Sequence, residues 1–280
     1  METIDIWGEK IPRSVLSQYE IDYLATFSKN IPDVHWIWSE MDRVWNDLKL
    51  DNTKPLSDQR IADYYGHPIW IVNGLFTKFD KVSKDHRFAI AKFLEKQGVV
   101  NIADYGGGFG EMAITLSEVL PNADISIIEP YPSKLGIYRL QNFTRVRQVQ
   151  EITNNSYDAV IAQDVLEHVE DPVLLAFQLT EAVKKSGIIV FANCFYPYIN
   201  CHLPSTFHLR HTFSFVSKNL GLKYLGVIKG AYHAQVYRKV AEPNLDRARA
   251  AENISRKVGG MVNSPLSTLI SKVKRRIFVR

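Results

Sequence analysis

The chain has 280 residues, 46% of them hydrophobic and 23% charged, with two cysteines and a net charge of +4. This suits a globular protein with one large domain and an extension, and excludes a disordered, fibrous or disulfide-stapled chain. The charge is uneven: residues 244–280 carry about +7, so the rest is mildly acidic.

The N-terminus "METIDIWGEK" is acidic and polar, unlike a secretory signal. No apolar run approaches the length of a membrane span. Cys194 and Cys201 lack metal-ligand spacing and read as small buried residues of a protein in a reducing cytoplasm.

Residues 1–85 read as a helical N-terminal extension, a cap for acceptor recognition. "SVLSQYEIDYLATFSKN" and "DVHWIWSEMDRVWNDLKL" are helical. In the second, Trp38, Met41, Val44, Trp45 and Leu48 recur at helical spacing, which suits a packed face, with stacking on a ligand as the other reading. "YYGHPIWIVNGLF" follows, where Pro68 and Gly74 are expected to break any long helix.

From 86 to 240 strands alternate with helices. "KDHRFAIAKFLEKQG" is a helix stopping at Gly98, "VVNIADYG" a strand and "EMAITLSEVLP" a helix. "ADISIIEP", the weaker "RVRQVQE", "YDAVIAQD" and "GIIVFANC" are strands. "SKLGIYRLQNF", "DPVLLAFQLTEAVKKSG" and "TFSFVSKNLG" are helices, the second with Pro172 in its first turn and Gly187 past its end. "LKYLGVIKG" and "HAQVYRKV" close the region as an antiparallel hairpin at the sheet edge. The pattern predicts an α/β, Rossmann-like, doubly wound, mostly parallel sheet. Residues 241–280 read as a basic amphipathic tail. In "SPLSTLISKVKRRIFVR", Leu266, Leu269, Ile270, Val273 and Ile277 share one face, for docking on its own protein or peripheral contact with a membrane surface or a partner.

The chemistry centres on "NIADYGGGFGEM", where four glycines in five residues follow the first core strand. Ligands of an open parallel sheet sit at such a strand end, and glycine lets the backbone approach them closely. Gly108 to Ala113 also fits the loose dinucleotide pattern, G-x-G-x-x-A. Asp104 precedes the glycines, Glu129 ends the next strand nineteen residues after Gly110, and "DVLEHVEDP" follows the fourth strand. A carboxylate at 104 suits a cationic ligand better than a pyrophosphate, and one at 129 can accept both ribose hydroxyls.

Together these motifs resemble the class I S-adenosylmethionine-dependent methyltransferases, over roughly Lys84 to Val240. The resemblance implies a seven-stranded sheet with an antiparallel last strand. It implies that Asp104 and the backbone of Gly106, Gly108 and Gly110 flank the amino-acid and sulfonium part of the cofactor. Glu129 would bind the ribose, with Pro130 and Tyr131 near the adenosine and Gln150, Glu151 and Ile152 bordering the adenine. The loop before "YDAV" departs from the family in being short and lacking its common aspartate. Gln163 and Asp164 would line the methyl-transfer cavity.

A sulfonium is an activated methyl donor, so no metal is required, and a hydroxyl acceptor needs only alignment and a base. The histidine-rich loop "CFYPYINCHLPSTFHLRHTF" offers His202 and His208 as candidate bases. Asp164 is a base or an orienter, and His168 a loop-positioning residue. The stretch from Tyr64 to Leu94 is similar to methyltransferases of bacterial surface-polysaccharide and other glycan gene clusters. That resemblance implies O-methylation of a sugar hydroxyl on a glycan or its precursor, and the basic amphipathic tail would suit work near the inner face of a membrane. A small-molecule O- or N-methyltransferase is the alternative. A nicotinamide dehydrogenase and a cofactor-binding module that has lost catalysis stand as readings of other classes. Nucleic acid is not expected as a partner, because the positive charge is confined to the tail.

Overall fold

The computed structural model describes residues 2–27, 30–56 and 59–262. The amphipathic stretch 264–280 lies outside them.

The chain opens with a two-stranded antiparallel hairpin, β1 (Thr3–Ile6) and β2 (Glu9–Pro12). The expectation of a purely helical extension misses it, because each strand is only four residues long. Helices α1 (Gln18–Ala25) and α2 (Val34–Asp47) follow. A capping box of Ser17 with Glu20 opens the first, and the Asp33 side chain caps the second. Of the expected α2 face, Met41, Val44 and Trp45 are buried, together with Ile37. Helix α3 (Gln59–Tyr65) leads to α4 (Ile69–Phe79). This helix runs straight through Gly74, against the expectation of a break. The reason is tertiary: a side-chain carbon at Gly74 would collide with the Phe109 ring.

Helix α5 (Lys81–Gln97) ends at Gly98, whose φ of 67° gives a left-handed cap. Then come β3 (Asn101–Tyr105), α6 (Glu111–Val119), β4 (Asp124–Ile128), α7 (Lys134–Leu140), β5 (Val146–Val149) and β6 (Tyr157–Gln163). Helix α8 (Pro172–Ala182) stops earlier than its sequence pattern suggests. Strand β7 (Val183–Ala192) takes over at Val183, which pairs with Tyr157 of β6. Sheet pairing here outweighs helix propensity. Helix α9 (Phe213–Lys218), β8 (Leu222–Ile228) and β9 (Ala231–Lys239) complete the domain.

The sheet order is β5-β4-β3-β6-β7-β9-β8, with β9 antiparallel to both neighbours and the others of β3–β7 parallel. The last strand therefore sits inside the sheet, and β8 forms the edge. Strand order reverses between β3 and β6, which fixes the ligand crevice at their carboxyl ends. The two sheet faces pack separate apolar cores, and a third core belongs to the extension. That third core also takes in Phe109, Leu135 and Cys201, so the extension is built against the glycine loop.

Helix α10 (Leu245–Val262) was not legible as a separate element of the basic tail. It buries Ala248 and Ala251 in the core beside α8 and α9.

Candidate active site

Sheet register brings the motifs together. Tyr105 lies beside Ile128 of β4 and Ala162 of β6. The next residues of the three strands are Gly106, Glu129 and Gln163, so they flank one opening. Gly106 donates its N–H to Ile128 O at 2.7 Å. It has φ +70°, and a Cβ there would meet Val165 at 2.5 Å. Gly108 has φ +51° and a nearly empty side-chain position, 4.0 Å from Glu129 Oε2. Such a position leaves backbone open to a ligand. Gly110 caps α6 with φ +85°.

Glu129 clamps this loop. Its Oε2 accepts the Gly108 N–H at 2.7 Å and its Oε1 the Tyr131 N–H at 2.9 Å. Each oxygen keeps a second lone pair, enough for ribose hydroxyls. Asp104 lies below the loop and is 2% exposed, with Oδ2 unpartnered among the described residues. Burial, and then the Glu129 charge, push its carboxyl up to about 7. A buried carboxylate oxygen without a donor calls for a ligand that brings one.

Tyr131 stacks on Tyr65 of the extension, with centroids 5.1 Å apart and planes at 12°; Pro130 beside it is exposed. Burial raises the Tyr65 phenol well above its usual value, followed by the charges of Cys201, Tyr131, Glu129 and Glu167 around it. The extension thus reaches the crevice through Tyr65, one of the aromatics of "YYGHPIW" that the sequence offers for stacking on a ligand. Gln150 and Glu151 lie just past β5 and are exposed.

The other side of the crevice holds the titrating groups. Asp164 has φ +52°, a left-handed conformation uncommon outside glycine, and donates its N–H to Ala192 O at 2.8 Å. Solvent reaches Asp164, yet protein surrounds it closely. That burial raises its carboxyl, against His202, a hydrogen bond from Gln163 and His86. Glu167 and His168 lie in the 3-10 turn Leu166–His168. Glu167 is fully buried; Oε1 accepts the Cys194 N–H at 2.6 Å, and Oε2 has no partner among the described residues. Burial and then Asp164 push it up to about 8.

His168 and His202 meet edge to face, 4.8 Å between ring centroids. His168 Nδ1 lies 3.0 Å from Cys201 O, and His202 Nδ1 lies 2.6 Å from Tyr196 O. A carbonyl only accepts, so each Nδ1 carries the proton and each Nε2 a lone pair. Burial lowers both rings, His168 to about 3.

His208 does not join them. It is buried under α10, with Nε2 3.2 Å from Glu252 Oε1, which makes it a docking residue for that helix. Two histidines that sequence reading passed over lie nearer. His86 of α5 and His233 of β9 pack with tilted rings, 4.5 Å between centroids, and His86 feels the Asp164 charge. The antiparallel β9 starts at the crevice end of the sheet, with Ala234 paired to Ala192, so His233 arrives there. The reversed strand was the available signal.

The comparisons with known proteins agree with this geometry. A family model described as a methyltransferase domain matches residues 72–213, just over half of the chain. The chain belongs to that family. It is a class I S-adenosylmethionine-dependent methyltransferase, with that compound as its cofactor. No curated protein matches it. Among solved structures it is similar to the CurJ carbon methyltransferase, at a TM-score of 0.56 and 13% identity, covering 84% of this chain and 73% of that one. It is also similar to a Nostoc punctiforme protein assigned as an O-methyltransferase, at 0.52 and 16%, covering 76% and 74%. Another match, the YcgJ protein of Bacillus subtilis, has 50% of its length covered at 15% identity and a TM-score of 0.33. At these identities the likeness is one of fold.

The methyltransferase crevice fits its cofactor. The orphaned Asp104 oxygen, the bare Gly108 position and the free lone pairs of Glu129 would suit the donor groups of an amino-acid tail and a ribose. The bound sulfonium supplies a methyl group already activated for displacement. Alignment of an acceptor with that methyl group is then the main task left to the protein.

Proposed function

We propose that this methyltransferase O-methylates a sugar hydroxyl of a glycan or glycan precursor. The observation that carries the reading is the placement of Asp164 and His202 in one crevice beside the cofactor cradle. A hydroxyl must lose its proton as the new bond forms, and these two groups are set to receive it. Asp164 has a raised carboxyl and His202 a bare Nε2. The aromatic ladder Trp38–Tyr198–Tyr196 supports a sugar as acceptor. Its rings stack at 5.5 Å and 5.6 Å, and the Tyr196 carbonyl holds His202. The charge of about +7 over residues 244–280 supports a place at the anionic inner face of a membrane, where lipid-linked glycans are built.

The test is transfer of a labelled methyl group to fractionated glycans and glycan precursors. The expected product is an alkali-stable methyl ether on a sugar. Asp164→Asn should slow transfer by about 10²-fold or more while leaving S-adenosylhomocysteine binding in place. A product methylated at nitrogen or carbon, or no transfer to any fraction, overturns the reading.

A further inference from the structure

We propose that Glu167, His168 and His202 form a binding site for a divalent first-row transition cation at the carboxyl end of β6. One donor atom from each residue lies within 4.8 Å of the other two. A cation about 2.1 Å from each of three ligands holds them about 3.0–3.6 Å apart, so the three side chains would close in by up to about 1–2 Å on binding. Two imidazoles with one carboxylate suit manganese, iron, cobalt or zinc better than magnesium or calcium, which prefer oxygen.

The surroundings are those of a ligand set. Both imidazoles give their Nδ1–H to a main-chain carbonyl, Cys201 O and Tyr196 O, which fixes the rings and points the lone pair through Nε2. Neither Nε2 has a hydrogen-bond partner among the described residues. Glu167 is likewise oriented by the Cys194 N–H on one oxygen and orphaned at the other. A structural staple between the turn and the loop would use these remaining atoms. Here one donor atom of each residue lies near the other two, and Glu167 Oε2 is left unspent among the described residues.

The chemical role of the cation rests on the O-methylation reading. It assigns His202 to the metal and leaves the proton to Asp164. The cation takes the acceptor hydroxyl in an open coordination position and makes its oxygen more acidic. The O–H proton passes to Asp164, the oxygen lone pair forms the new C–O bond, and the electrons of the broken C–S bond return to sulfur. The products are the methyl ether and neutral S-adenosylhomocysteine.

Binding is tested on the chelator-treated full chain without acceptor. Mn2+ is titrated with detection of the free ion by electron paramagnetic resonance, and Co2+ with detection of histidine ring protons by NMR. One saturable cation per chain is expected, with paramagnetic shifts at His168 and His202 and none at His35. Glu167→Gln and His202→Gln should each weaken Mn2+ binding about 10- to 100-fold, with cooperative melting and S-adenosylhomocysteine binding kept. If either variant fails to fold, the Co2+ shifts in the unaltered protein decide. Absence of saturable binding, unshifted His168 and His202 rings, or folded variants that bind as well as the parent overturns the proposal. Failure here leaves O-methylation standing, and a nitrogen or carbon acceptor leaves the cation site standing.

Discussion

Gly74 lies against Phe109: a Cβ at position 74 would sit 2.4 Å from Cγ of that ring. This contact joins the extension to the glycine loop, because Phe109 is the one large residue among the loop's glycines. Arg139 lies over the same ring at 4.3 Å and donates to the Phe109 carbonyl at 3.0 Å. Gly74→Ala should therefore push the loop away from its cradle shape. We expect a loss of about 1–3 kcal/mol of stability, the usual cost of overpacking, read by thermal melting. Calorimetry should show weaker S-adenosylhomocysteine binding, although residue 74 lies outside the loop.

Glu129 holds the loop through both carboxylate oxygens, and their remaining lone pairs are proposed to take the ribose. Glu129→Ala removes both backbone hydrogen bonds and the acceptors for the ribose. A loss of about 10- to 100-fold in affinity for S-adenosylhomocysteine is expected, since each hydrogen bond to a charged group is worth about 1.5–3 kcal/mol. Glu129→Gln should recover part of it, because the amide oxygen still accepts.

Asp104 gives a pH signature. Its folded value of about 7 stands above the ordinary 3.8, through burial and then Glu129. Raised in this sense, the group contributes stability that is full below pH 4 and is lost as pH climbs through 7. The ligand-free protein should melt lower at pH 8 than Asp104→Asn does. A ligand that donates to the ionised carboxylate should bind the parent more tightly at pH 8 than at pH 6. In Asp104→Asn that difference should vanish, and the affinity should fall at pH 8.

Glu252 behaves in the opposite sense. Burial raises it, but His208, Arg249 and Arg256 outweigh that and hold it at about 2, below the usual 4.5. The contribution is present above pH 4.5 and lost as pH falls toward 2. Acid titration followed by proteolysis should release α10 from the domain before the sheet unfolds. Glu252→Gln should weaken that dependence and cost about 1–3 kcal/mol at neutral pH.

The donor half of the site was legible because it is local in sequence. Asp104 and the glycines share one strand end, Glu129 ends the neighbouring strand, and parallel register lines them up. Helices with side-chain or glycine caps, such as α2 and α5, were likewise readable. Long-range packing hid the rest. Gly74 reads as a helix breaker until Phe109 is placed beside it, and Val183 reads as helical until Tyr157 pairs with it. His208 looked equivalent to His202 along the chain, yet one turns under α10 and the other into the crevice.

The sequence by itself determined the sheet and the glycine loop at its strand ends, because these depend on hydrophobic period and glycine conformation, and the donated group followed from the resemblance of its motifs to the methyltransferase family. Only the tertiary structure decided which side chains gather on the far side of the crevice. Tyr65, His86, Glu167, His202 and His233 come from separate elements, and no spacing along the chain encodes their meeting. Sheet reversal at β9, the 3-10 turn after β6 and the packing of the extension bring them to one opening, where burial then sets their charges.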